Sequence, residues 1–101
     1  MPSVATNGSA CTTGHGCDTT TTVNGGSDNV IIDNKGVARK NHPLASHTIP
    51  QGPNCIPHPS QKVNEGSATV FVNDEPIARV GDSVDIGGQI TSGESNVVAG
   101  G

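Results

Sequence analysis

The chain of 101 residues has a formal net charge of −4, and only 31% of its residues are apolar, with Phe71 as the sole aromatic. A chain this short forms one small domain, and five Lys and Arg residues without a basic cluster argue against binding to nucleic acid. We expect no signal peptide and no membrane-spanning segment. The first residues lack a charged start followed by an apolar run, and no stretch approaches the roughly 18 apolar residues that a span needs.

The residue types favour an all-β fold with little or no helix. Good helix formers are scarce, whereas the chain has 14 Gly, 7 Pro and many Val, Thr, Ser and Asn residues. Disorder of the whole chain is the alternative, but only 14% of residues are charged and the apolar ones cluster in short Val and Ile runs. Because the core must be small, we expect a metal, a disulfide or a partner to add stability.

The chain repeats itself at an offset of 40 residues. The segment "GSDNVIIDNKGVARKNH" from Gly26 aligns with "GSATVFVNDEPIARVGD" from Gly66, and "GESNVVAGG" from Gly93 is a truncated third copy. We therefore predict a single domain, 1–101, with repeats near 23–42 and 63–82 and a partial third repeat near 90–101.

Each repeat is predicted to form a β-hairpin. The segments "NVIID" and "TVFVN" have the composition of short strands, and the turns are predicted at Asn34-Lys35 and Asp74-Glu75, ahead of the return strands "VAR" and "IARV". Another hairpin is predicted from "IGGQITSGESNVV", with its turn at Ser92-Gly93.

The segment 42–60 between the repeats is predicted to be an irregular loop with a function. It holds five of the seven prolines, which excludes a regular helix or sheet. A long irregular segment in a small domain is usually functional or held by a ligand. The loop also carries three of the four histidines, and Cys55 precedes His58 at a spacing typical of metal ligands.

These residues predict a structural zinc site, with iron as the alternative, because His and Cys ligands accept both metals. The competing interpretation, surface histidines on polar loops, explains one histidine better than four in a chain with so small a core. Three Cys residues also fit a metal site better than a disulfide framework, with Cys11 and Cys17 as free thiols or a local bridge. The predicted ligands are His15, His47, Cys55 and His58, with His42 in reserve because it aligns with the scaffold residue Asp82.

We predict no enzymatic activity. A nucleophile and base formed by Cys55 and His58 would lack a core able to form a cleft, and a closed four-ligand metal site leaves no open coordination position. The segment "RVGD" is interpreted as a tight turn of the scaffold, in which Arg79 pairs with Asp82 or Asp85.

The motif "PIAR" at 76–79, its degenerate copy "GVAR" at 36–39 and "TGHG" at 13–16 resemble the PAAR-repeat proteins, which are named for the sequence Pro-Ala-Ala-Arg. The resemblance extends from Cys11 to Gly101. It implies a small all-β cone whose tip is pinned by zinc on three His and one Cys, here the four predicted ligands. The chain departs from the pattern at Lys40-Asn41-His42, in place of Val-Gly-Asp, and in lacking an "ARVGD" opening at the N-terminus.

The resemblance also implies a partner and a location. One copy of such a protein caps each trimeric β-helical spike, a phage lysozyme-spike or a VgrG-like protein, in a contractile phage tail or a type VI secretion system. Contact with the target cell envelope is transient, without stable membrane insertion. The protein is then expected in the virion, at the spike tip of the tail baseplate, or in a bacterial cytoplasm before injection. A freestanding zinc-binding domain and a metallohydrolase fragment are the alternatives. The candidate partner-binding residues, equally suited to interior packing, are Val30, Ile32, Val70, Val72 and Val97.

Overall fold

The structure, a computed structural model, describes residues 2–100. Within this range the protein contains twelve short β-strands and no helix, which confirms the predicted all-β class. The strands are β1 Ser3–Val4, β2 Ala10–Thr12, β3 Thr20–Thr22, β4 Ile31–Ile32, β5 Lys35–Gly36, β6 Thr48–Gln51, β7 Asn54–Pro57, β8 Phe71–Val72, β9 Glu75–Pro76, β10 Ser83–Val84, β11 Gly88–Gln89 and β12 Glu94–Val98.

The strands pair into six antiparallel two-stranded sheets. Five of these are hairpins between consecutive strands, from β2–β3 to β10–β11. The sixth pairs β1 with β12, so that the two ends of the chain build one sheet together. The predicted hairpin with its turn at Ser92-Gly93 is therefore wrong, because β11 pairs with β10 and β12 pairs with β1.

The two repeat hairpins turn one residue earlier than predicted. In β4–β5 and β8–β9 the last paired residues enclose two-residue loops, Asp33-Asn34 and Asn73-Asp74. All four loop residues have positive φ, between 51° and 67°. This is the backbone of the type I′ turn that two-residue hairpins favour, and Asn and Asp tolerate it better than other side chains.

A ring of hydrogen bonds closes around three buried alanines at the centre of the molecule. The amide of Ala5 donates to the carbonyl of Ala78, that of Ala78 to Ala38, and that of Ala38 back to Ala5, at 2.9–3.0 Å. All three residues have no exposed surface. A closed ring of this kind requires three chain segments arranged about a pseudo-threefold axis, and only a small side chain fits where the segments approach one another.

The core continues above and below this ring as further layers of three. One residue from each third of the molecule contributes to each layer, and most are β-branched, which suits a narrow all-β interior. Isolated β-bridges link each third of the molecule to the next around the axis. They pair Val23 with Leu44, Val63 with Val84 and Cys11 with Ile90. The layers on either side of the alanine ring are Val4, Val37 and Ile77; Val23, Val63 and Ile90; and Cys11, Leu44 and Val84.

One turn recurs in each third of the molecule and explains the repeated motif. Its first residue donates its main-chain N–H to the side chain three positions later, which orients the strand that follows. Arg79 pairs in this way with Asp82, and also through its guanidinium at 2.9 Å, rather than with Asp85. The N-terminal segment supplies the third copy with Thr in place of Arg. The three turns are Thr6 with Ser9, Arg39 with His42, and Arg79 with Asp82.

The molecule is elongated, with extents of 41 × 23 × 22 Å. The three sheets β4–β5, β8–β9 and β1–β12 lie at one end, which we call the base. Three segments run from them through the layered core to the other end, which we call the tip. The tip consists of residues 13–18, hairpin β6–β7 with its flanks, and the turn 85–87. Since residues 2–100 form no helix, none is present that could cross a membrane.

Candidate metal centre

Three imidazoles and one carboxylate converge at the tip. The residues are His15, His47, His58 and Asp85, and their donor atoms all lie within 4.8 Å of one another. His47 and Asp85 are buried, and the other two are partly buried. The structure thus brings together three of the four predicted ligands, but it places a carboxylate where a Cys thiolate was expected.

The donors come from three separate segments of the chain. His15 lies in the loop between β2 and β3, and Asp85 lies in the turn between β10 and β11 with a φ of 55°. Hairpin β6–β7 carries the other two at its open end, His47 just before β6 and His58 just after β7. Thr48 pairs with Pro57 in its register, and the amide of His58 donates to the carbonyl of His47 at 3.0 Å. The irregular loop predicted between the repeats therefore contains a regular hairpin, even though prolines occupy two of its paired positions.

The Asp85 carboxylate lies at the centre of the cluster. Its Oδ2 atom lies 3.1 Å from Nε2 of His15 and within hydrogen-bonding distance of Nε2 of His47, and its Oδ1 atom lies 3.4 Å from Nδ1 of His58. Nδ1 of His58 and Nε2 of His15 are only 3.2 Å apart. Two neutral imidazole nitrogens that both present lone pairs would repel each other at this distance, so a proton or a cation must lie between them.

The outer hydrogen bonds orient the rings for ligation. Nδ1 of His15 lies 3.0 Å from the carbonyl oxygen of Gly16, and Nδ1 of His47 lies 2.9 Å from that of Ala45. A carbonyl oxygen only accepts, so each Nδ1 carries the proton and each Nε2 turns a lone pair toward the cluster. Metal-bound histidines are commonly held in this way, by a main-chain carbonyl on the far nitrogen. The amide of Ile86 donates to Oδ1 of Asp85 at 2.7 Å and orients the carboxylate.

The electrostatics at the tip favour a bound cation. The carbonyl of Gly16 raises the pKa of His15 above its usual value, and Asp85 raises it further, whereas desolvation opposes the shift. Both effects favour the protonated, positively charged form of the ring. Three imidazole nitrogens and a carboxylate oxygen are a donor set that suits zinc or iron. Such an ion would replace the protons that otherwise separate these groups.

Cys55 is not among the converging donors. Its sulfur is bonded to that of Cys17, across 38 residues of sequence, and a disulfide sulfur is no longer the thiolate that binds zinc. The bridge also differs from the local pairing considered for Cys11 and Cys17. Cys11 instead remains a free thiol in the core, where burial raises its pKa to about 11. The odd number of cysteines thus reflects one disulfide and one buried thiol.

The reserve ligand His42 lies in the repeated turn, away from the cluster. Its two ring nitrogens face the main-chain N–H and the Nε–H of Arg39, at 3.1 and 3.0 Å. The alignment of His42 with Asp82 had indicated this scaffold position, and the two turns are built alike. Burial lowers the pKa of His42, and the charge of Arg39 lowers it further.

Asp85 is the donor that sequence reasoning missed. It stands in "SVDIGG", directly after the segment "RVGD" that is interpreted as a scaffold turn, and it is predicted only as a partner for Arg79. One signal was available, because the repeat offers no acidic counterpart 40 residues earlier, where Ala45 stands. An acidic residue that breaks the repeat and stands two positions before a pair of glycines is a reasonable candidate for a site.

The base exposes two of the five apolar residues suggested for partner binding and turns the other three toward the core. Val30 and Val70 are 37% and 38% exposed, but Val72 is buried, and Ile32 and Val97 pack against the core. Alternation along short strands points these three side chains inward and their neighbours outward. The most exposed apolar side chains of the base, which occupy equivalent positions in its three sheets, are Ile31 at 53%, Phe71 at 56% and Val98 at 49%.

Comparison with known proteins identifies one family. The family model for the PAAR motif matches residues 13–92, which is more than half of the chain. The matched range includes the two internal repeats, hairpin β6–β7 and all four residues of the cluster. No curated protein matches the chain.

Proposed function

Because this chain belongs to the PAAR motif family, whose members form spike tips in contractile injection systems, we propose that it caps and sharpens one trimeric β-helical spike. The family is a structural tip domain rather than an enzyme family, and its members are phage-tail or secretion-system components associated with spike proteins such as VgrG. The proposal therefore concerns which end of this molecule meets the spike, and what the opposite end does.

The shape of the base supports docking onto the end of a trimer. Its three exposed side chains, Ile31, Phe71 and Val98, come from three sheets related by the pseudo-threefold axis. A threefold-symmetric partner presents three equal surfaces about its own axis, so a single chain with internal threefold symmetry matches it one to one. Burying these side chains would also cover the free edges of the base sheets, which are otherwise prone to association.

The tip is suited to brief passage through an envelope because it carries almost no charge. Hairpin β6–β7 with its flanks, 47–58, contains no Asp, Glu, Lys or Arg, and neither do residues 13–17 and 86–87. Of the two acidic residues at the tip, Asp85 is buried in the cluster, while Asp18 accepts hydrogen bonds from Thr48. A charged side chain at the centre of a bilayer costs about 2.5–3.5 kcal/mol, so few charges at the tip lower the barrier to penetration.

A metal ion would stiffen this tip, which is too narrow for an apolar core. His15, the hairpin β6–β7 and Asp85 belong to segments that lie beyond the last core layer, Cys11, Leu44 and Val84. One zinc or iron ion bound by all four donors would join these segments and add its binding free energy to folding. The ion then has a structural role, which agrees with a closed set of protein ligands.

The threefold base is the observation that carries the proposal, and a single substitution tests it. The chain is co-expressed with the trimeric β-helical spike protein of the same injection machine, and the complex is measured by native mass spectrometry. We expect one chain per trimer. Phe71→Asp should weaken the complex by about tenfold or more, since burial of such a side chain contributes about 1.5–3 kcal/mol.

Ile86→Asp is the matched control, because Ile86 is 60% exposed but lies at the tip. It should leave the complex unchanged. Equal effects of the two substitutions, or equal binding by Phe71→Asp and the unsubstituted chain, would contradict docking through the base. A complex with a different number of chains per trimer would contradict the symmetry argument.

A further inference from the structure

The Cys17–Cys55 disulfide joins two of the segments that carry metal donors. Cys17 lies two residues after His15, and Cys55 lies in β7, three residues before His58. The bridge therefore ties the His15 loop to the hairpin that holds both His47 and His58. It is the only disulfide among residues 2–100, which the structure describes.

The buried hydroxyl of Thr13 braces the His15 loop internally by donating to the carbonyls of His15 and Asp18, at 3.1 and 2.7 Å, but the loop makes few polar contacts with the hairpin. Glycines flank His15 on both sides, and Gly14 has a φ of 79°. Cys17 has a φ of 66°, a left-handed conformation that is unfavourable for a residue with a side chain. The main polar contact to the hairpin is made by the Asp18 carboxylate, which accepts hydrogen bonds from the amide and hydroxyl of Thr48 at 2.7 and 3.0 Å. That contact is exposed to solvent.

The disulfide is accessible to thiols, since Cys17 and Cys55 are both exposed. Its reduction by a monothiol such as glutathione proceeds in two exchanges. In the first, a thiolate attacks one sulfur, breaks the S–S bond and forms a mixed disulfide. In the second, another thiolate attacks the mixed disulfide, so that two protein thiols and one oxidised thiol pair are released. Cys11 takes no part, because it is buried in the core.

We propose that this disulfide controls metal affinity at the tip. The inference rests on the metal site proposed above. In the oxidised protein the bridge holds His15 beside the other three donors, so little chain entropy is lost when the ion binds. In the reduced protein the loop keeps its Thr13 hydrogen bonds but loses its covalent link to the hairpin, so the ion must hold these two segments together without the bridge. Loss of groups that orient metal ligands typically lowers metal affinity by about 10–100-fold, and we expect a change of that size.

The tip would therefore reach its full metal affinity only after the disulfide has formed. Thiols stay reduced in a cytoplasm, whereas extracellular and periplasmic conditions favour disulfides. The chain would bind the ion less tightly in a reducing compartment and hold it firmly once the bridge has formed.

The test compares zinc affinity in two redox states of the same purified chain. Oxidised protein and protein reduced with dithiothreitol, which is then removed under anaerobic conditions, are titrated with Zn²⁺ against a chromophoric chelator. Co²⁺ titrations of both states report the ligand type through the absorption spectrum. We expect at least tenfold tighter zinc binding by the oxidised protein. We also expect no sulfur-to-cobalt charge-transfer band in either state.

Two variants keep the result interpretable. The double variant Cys17→Ser/Cys55→Ser should bind zinc with the affinity of the reduced protein. Treatment with dithiothreitol should not change that affinity. Cys11→Ala, which removes the cysteine outside the bridge, should keep the full redox response. Amide spectra of the Ala5, Ala38 and Ala78 ring verify that the core of each sample is folded.

Three outcomes would overturn the inference, each in a distinct way. Equal affinity in the two states would leave the metal site intact but remove the role of the disulfide. Tighter binding by the reduced protein, with a sulfur-to-cobalt band, would show that Cys55 becomes a ligand and displaces Asp85. No zinc binding in either state would overturn the proposed metal site and, with it, the proposed effect of the disulfide on metal affinity.

Discussion

The repeated turn in the first repeat is built with a poor acceptor, and replacing it should stabilise the protein. In the second repeat, the Asp82 carboxylate accepts from the main-chain N–H and from Nε and Nη2 of Arg79, at 2.8–3.2 Å. In the first repeat, both nitrogens of His42 face N–H groups of Arg39. A neutral imidazole has one acceptor nitrogen, so one of these two donors has no lone pair to bind. The substitution His42→Asp would supply acceptors for both.

The size of the effect follows from the hydrogen bonds gained. An unsatisfied buried donor costs about 1–3 kcal/mol, and a hydrogen bond to a charged group contributes about 1.5–3 kcal/mol. The turn is only partly buried, so we expect the lower end of this range, about 1 kcal/mol. For a domain of this size that gain raises Tm by about 4–8 °C. The assay is thermal unfolding of metal-free protein at pH 7.5, and His42→Asn, with a single acceptor oxygen, is the matched control.

The pH dependence provides an independent check. The pKa of His42 is lowered in the folded protein, by burial and then by Arg39, relative to an unfolded value of 6.5. His42 is therefore protonated more readily in the unfolded state than in the folded state. The free energy of unfolding decreases as pH falls through about 6.5. His42→Asp removes this loss, so its advantage in Tm should grow between pH 7.5 and pH 5.5. An unchanged or lower Tm for His42→Asp at both pH values would refute the acceptor argument.

Two further predictions concern the tip and the core. Elemental analysis of the purified chain should find one zinc or iron per molecule, which His47→Ala and Asp85→Ala lose and His42→Ala retains; loss with His42→Ala alone would show that the cluster is not the site. At the centre of the molecule, Ala38→Val should lower the free energy of unfolding by about 1–3 kcal/mol, because the alanine ring has no room for added methyl groups. Ala10→Val, at an exposed position of β2, should change it little; similar urea midpoints for the two variants would contradict close packing at the axis.

Much of the fold follows from local chemistry that is visible in the sequence. Val and Ile runs bounded by Asn, Asp and Gly indicate short strands with tight turns. The offset of 40 residues identifies β4–β5 and β8–β9 as two copies of the same hairpin. The three tip histidines were predicted as a group because few other residues in so polar a chain can bind a metal. For the strands, turns and repeat the signal lies within one short segment or in its repetition, and for the histidines it lies in the composition of the chain.

Apart from the repeat turns, which lie one residue earlier than predicted, and hairpin β6–β7 within the predicted irregular loop, the differences from prediction concern contacts between distant segments. The pairing of β1 with β12 joins the two ends of the chain, and no local pattern encodes it. For the same reason the third repeat was sought at the C-terminus alone, although Thr6 to Ser9 supplies its turn. The exchange of Cys55 for Asp85 in the cluster has the same origin, since sequence spacing does not say which sulfur or carboxylate will reach the tip.

The sequence by itself determined the class of structure, because turn residues, β-branched residues and a repeat act locally and leave little choice but short hairpins. Tertiary structure alone decided the composition of the site and the shape of the docking face. Three segments wind about one axis, and that winding places Cys17 against Cys55, and Asp85 among three histidines. It also turns Ile31, Phe71 and Val98 outward at the base. These are distances through space across tens of residues, and they exist only once the chain has closed upon itself.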